Sequence, residues 1–146
     1  MTTENTAHSA EELSLYPELE EHPDCIAIAE RCELLAAILM DSTDQHAMQP
    51  VLRCMQTYLL AMKSALGELL SDVRILQLTA KALPAETTSC FNPESELLLE
   101  YCEAVTHTLI SVVLPNEHRV NLVGLLYDLC YLQRSDLTAP RFTLEA

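Results

Sequence analysis

Four acidic residues stand in two matched pairs, Glu30-x-x-Glu33 and Glu100-x-x-Glu103. Dinuclear metal sites in four-helix proteins use a related set of carboxylates, with Glu-x-x-His on two of the helices. The helical wheel argues against such a site here. Cys32 and Cys102 fall on apolar faces, which turns Glu33 and Glu103 about 100° away from those faces and toward solvent. On the later segment Glu96, Glu100, Glu103 and His107 form an outward stripe of their own. His22 and Cys25 have the spacing of a two-ligand clip at a helix start, but no CxxC, HExxH or finger-type cluster supports them. Cys102 and His107 are the nearest pairing of thiol and base, yet five residues along a helix point about 140° apart. A nucleophilic thiol also needs an electropositive setting, and an acidic chain raises thiol pKa values instead. The expectation is therefore no catalytic residue, no metal, no cofactor and no enzyme.

Composition supports this. The chain has 146 residues, 49% hydrophobic and 21% charged, enough for one domain with a core. Its 2 glycines, Gly67 and Gly124, compare with about ten at average usage. Phosphate-cradling and dinucleotide-binding loops need several glycines in a short stretch, so both are excluded. The formal net charge of −14, from 22 acidic and 8 basic residues, disfavours direct binding to nucleic acid or to an anionic membrane. Nothing resembles a signal peptide or a membrane span. Five of the six cysteines lie in helical patterns, where a free thiol acts as a small hydrophobe. Reduced thiols and a cytoplasmic location follow.

These residues need elements to hold them, and the periodicity predicts an all-α four-helix bundle of two hairpins. Residues 1–22 read as an acidic tail with Leu13, Leu15, Tyr16 and Leu19 spaced among its acids. The bundle domain is expected over 23–134 and a loose C-terminal tail over 135–146. Helix A, 23–40, opens with Pro23 at its first position and buries Ile28, Cys32, Leu35 and Leu39. Helix B, 47–83, carries the strongest pattern. Leu52, Leu59, Leu66, Val73 and Ala80 are seven apart, as are Met55, Met62, Leu69, Leu76 and Leu83. Gly67 and Ser71-Asp72 are its weak points. Helix C, 93–113, has Asn92 as cap, Pro93 at its first position and Leu98, Cys102, Val105, Leu109 and Val112 as its inner face. Helix D, 116–134, is apolar on nearly every side. A shift of 70 residues superposes Cys32 on Cys102, Leu39 on Leu109, Leu52 on Leu122 and Leu59 on Leu129, which favours two similar hairpins.

What remains is binding. No residue pattern places the chain in a family. The expected function is a small acidic protein that binds and restrains or regulates a larger protein, as an inhibitor, antiactivator or adaptor. One alternative is imitation of nucleic acid, with the acids seated in a partner's basic nucleic-acid-binding groove. Another is carriage of an apolar ligand inside the bundle. The expected contact residues are Glu96, Glu100, Glu103, Asp128 and Asp136, with Leu13, Tyr16 and Leu19 of the tail. A homodimer is expected through Leu122, Leu125, Leu126, Leu129 and Leu132. The charge is uneven: residues 1–24 carry a net of −7, residues 25–92 −2 and residues 93–146 −5.

Overall fold

A computed structural model describes residues 22–81 and 94–143. The first helix, α1, is Cys25–Asp41. Asp24 caps it, with Oδ1 accepting from the Ala27 N–H at 2.9 Å. Pro23 therefore lies outside the helix and not at its first position. Were Pro23 the first residue, His22 would have to cap, and aspartate is the far better cap. The next helix, α2, is Gln45–Ala65, capped by Asp44.

Here the expected long helix B breaks. Gly67 and Glu68 donate to the carbonyls of Ser64 and Ala65, three residues back, which tightens the last turn. Ser71 then caps a new short helix, α3, Asp72–Gln77, its Oγ accepting from the Arg74 N–H at 3.2 Å. A helix-starting cap and a poor helix former stand within five residues, and together they outweigh the apolar repeat. The seven-residue pattern holds through Leu52, Met55, Leu59 and Met62, all buried, but α3 buries no residue at all. Ala80 belongs to a two-residue strand, β1 (Thr79–Ala80), and Leu83 lies outside the described residues.

Two further helices follow. α4 is Ser95–Ser111 and α5 is Asn116–Thr138. Glu94 occupies the cap position of α4, so this helix starts two residues later than Pro93, which lies outside the described residues along with Asn92. It also ends before Val112, which is half exposed and not part of the inner face. α5 runs on past Arg134, because Leu137 continues its buried stripe of Leu126, Leu129 and Gln133. Of the expected C-terminal tail, residues 135–138 belong to α5, and residues 144–146 lie outside the described residues. A strand β2, Phe142–Thr143, pairs in parallel with β1 in the register Thr79 to Phe142, and the N–H groups of Arg141 and Phe142 both reach the Leu78 carbonyl.

The described chain is thus mostly helical, with five helices and one two-stranded pair. Each of the four long helices touches two others: α1 lies against α2 and α5, and α4 against α5 and α2. One connected core fills the space between them, and Cys32, Leu39 and Leu59 are buried in it together with their 70-residue counterparts Cys102, Leu109 and Leu129. Two ion pairs stitch distant segments. Asp24 meets Arg74 at 2.7 Å, tying the start of α1 to α3. Glu33 meets Arg134, tying α1 to α5, so Glu33 does not sit on a solvated face as its wheel position predicts. Among the described residues no helix is long and apolar enough to cross a membrane.

Candidate functional site

The acidic residues of α4 face two different hollows. Glu100 and Glu103 line a groove of about 600 Å³ between α2 and α4, opposite Leu60 and Lys63. Leu60 is 68% exposed, so the α2 wall offers an apolar ledge to solvent. Thr106 and His107 also line the groove. Thr106 is buried, and among the described residues its hydroxyl has no hydrogen-bond partner. Glu96 and Asp136 belong to a second hollow of about 460 Å³ at the start of α4, with Glu94 and Arg141. Asp136 is occupied there, since the Ser95 hydroxyl donates to its carboxylate. Buried Gln133 supports the same turn by donating to the Ser95 carbonyl at 3.0 Å.

Of the five expected acids, four line two different hollows. Glu100 with Glu103, and Glu96 with Asp136, are two neighbourhoods, and Asp128 is exposed on α5 without lining either. The wheel places Glu96, Glu100 and Glu103 on one side of α4 correctly. It says nothing of α2 and α5, which lie against α4. Leu13, Tyr16 and Leu19 lie outside the described residues.

The five leucines of the expected dimer seam are placed unequally. Leu126 and Leu129 are buried in the chain's own core, and Leu122 and Leu132 are half-buried against it. Only Leu125 of the five is exposed. Helix α5 packs on both α1 and α4, and Val120, Leu125 and Tyr131 remain exposed on it.

The thiols and imidazoles stand apart. Cys102 is fully buried, while His107 is exposed and lies 3.5 Å from the Ser111 hydroxyl through Nε2. Burial raises the Cys32 thiol far above its ordinary value, with the neighbouring thiols of Cys102 and Cys54 adding to it. The contact with Cys102, 4.0 Å between sulfurs, raises Cys130, and burial adds to that. Cys25 is raised by burial first and by Asp24 second. Desolvation is thus the main force on Cys32 and Cys25, and not the acidity of the chain as a whole. Among the described residues no cluster of three or more His, Cys, Asp and Glu has the geometry to hold a metal ion.

Two basic side chains take partners that helical spacing does not reveal. Arg134 is one, drawn to Glu33 and lying 5.3 Å from the Tyr131 ring centroid. Buried Arg119 is the other. Both lie on α5, and nothing in the residue spacing of that helix singles them out. No protein-family model matches the chain, and no curated protein and no solved structure matches it either.

Proposed function

We propose that this chain is a cytoplasmic four-helix bundle that binds and restrains or regulates a larger protein, without chemistry of its own. The observation that carries this is the groove between α2 and α4, with exposed Leu60 on one wall and Glu100 and Glu103 on the other. Such a combination suits a partner segment that brings both apolar and basic side chains. The apolar ledge supplies contact area, and the carboxylates steer and select through complementary charge. Uneven charge supports the same reading, because residues 93–146 carry a net of −5 while residues 25–92 are nearly neutral.

Paired affinity capture from the native host tests it, with the unaltered chain and the Glu100→Lys/Glu103→Lys chain as baits, each at low and raised salt. The double reversal is expected to weaken retention of the partner about tenfold or more, while circular dichroism of the variant stays unchanged. Modest loss at raised salt fits a mixed apolar and charged groove. A steep loss identifies the nucleic-acid-mimic alternative, in which charge alone holds the complex. Equal capture by both baits removes the groove from the function.

A further inference from the structure

Arg119 is carried inward by the second turn of α5, at the end of the molecule where α1 gives way to α2. It is 8% exposed. Its Nη1 donates to Met48 Sδ at 3.2 Å, and its Nη2 donates to the Thr43 carbonyl at 3.3 Å and to Asn116 Oδ1. All three acceptors are uncharged. Arg74 and Arg134 found carboxylates in Asp24 and Glu33. Among the described residues Arg119 has none within ion-pairing distance, in a chain where acids outnumber bases by 22 to 8. A buried charge is costly unless it is paired, and neutral acceptors compensate it only in part.

The guanidinium also has donors to spare. It carries five N–H groups, of which three are used, leaving Nε–H and one N–H on Nη1. Beside it lies a half-enclosed pocket of about 60 Å³, walled by Leu39, Met40, Val120 and Val123, with Ser42 at its edge. One water needs about 10–15 Å³ on this scale, so the pocket suits about four to six heavy atoms. Its walls reject a fully hydrated ion such as sulfate, and its one cation calls for a negative group. We propose that this pocket binds a carboxylate bearing a short apolar group, with Arg119 as counter-ion and the Leu39, Val120 and Val123 side chains holding the apolar end. The chemistry is shared by a free short-chain acid and by the C-terminal carboxylate of a protein whose last residue is small and apolar. The site shares no lining residue with the groove between α2 and α4 and does not depend on it.

Titration of the isotope-labelled full chain with propionate, followed by NMR at fixed ionic strength, tests the site. Saturable shifts confined to Met40, Val120, Val123 and their neighbours are expected with propionate and absent with propionamide, which has the same shape without charge. Arg119→Met should abolish them. Because that change also removes the bonds to Thr43 and Asn116, Val120→Phe provides a second arm. Val120 is 57% exposed at the pocket mouth, so the variant is expected to keep its melting temperature while weakening propionate about tenfold. A short peptide ending in alanine, as free acid and as amide, separates the two sources. Tighter binding of the free-acid peptide than of propionate assigns a protein terminus, and the reverse assigns a free acid. Shifts reproduced by propionamide or by added chloride, no saturation, or undiminished binding by Arg119→Met would overturn the proposal.

Discussion

Leu52, Met55, Leu59 and Met62 are each no more than 1% exposed, whereas Leu69, Val73 and Leu76, which continue the same seven-residue spacing, are 65–100% exposed. The two stretches differ little in residue type. They differ in what stands opposite. The first belongs to α2 and faces α1 and α4, while the second lies beyond Gly67, where the chain has turned away and no described residue covers it. An apolar repeat thus specifies a face, and only the fold supplies the cover.

Truncation breaks or upholds this comparison most directly. Leu59→Ala is expected to cost about 2–5 kcal/mol by urea denaturation, from lost burial and a cavity in a closed core. Leu69→Ala should stay within about 0.5 kcal/mol, as surface changes do. If Leu69→Ala costs as much as Leu59→Ala, the second stretch is covered in solution and the contrast is false.

A smaller effect comes from the link between the two stretches. Asp24 both caps α1 and holds Arg74 of α3. Burial pushes its carboxyl up, but the Arg74 guanidinium and the N–H groups of Ala27 and Ile26 outweigh burial and leave its pKa below the ordinary 3.8. Asp24→Ala should cost about 1–2 kcal/mol at neutral pH. A depressed folded pKa gives stability that is full above the unfolded value and lost as pH falls through the folded one. Asp24→Asn should therefore flatten the stability profile below about pH 4, and an unchanged acid limb would show that Asp24 is not the group responsible.

The smallest effect sharpens the break itself. Gly67 has no positive φ, and a Cβ there would meet only the Ser64 carbonyl oxygen at an ordinary 3.7 Å. Gly67→Ala is expected to raise stability by about 0.4–1 kcal/mol through the unfolded chain. A loss of stability would mean that the turn after α2 depends on glycine.

Much of the fold was legible because it is local. The inner faces of α1 and α4, with Cys32, Leu35 and Leu39 and with Leu98, Cys102 and Leu109, follow from helical spacing alone, and Gly67 and Ser71 were visible as weak points. At Pro23 the spacing is ambiguous, because proline at a helix start and aspartate one residue later send conflicting signals, and Asp24 takes the cap. Long-range choices were invisible. Glu33 and Arg134 are 101 residues apart, and no periodicity states that they meet. For the same reason the wheel of α4 carries no record of Leu60 across from Glu100 or of Ser95 holding Asp136.

The buried thiols have a consequence for how this chain can be watched. Cys25, Cys32, Cys54, Cys102 and Cys130 come from all four long helices, and each is shielded from solvent. A thiol reacts only when it is both reachable and ionised, and burial denies Cys32 both. Alkylation of these five sites under native conditions is therefore a stopwatch for the opening of each helix, built into the chain without any added probe. Whichever helix parts from the core first will be the first to take up label, and mass spectrometry of the tryptic peptides will read that order directly.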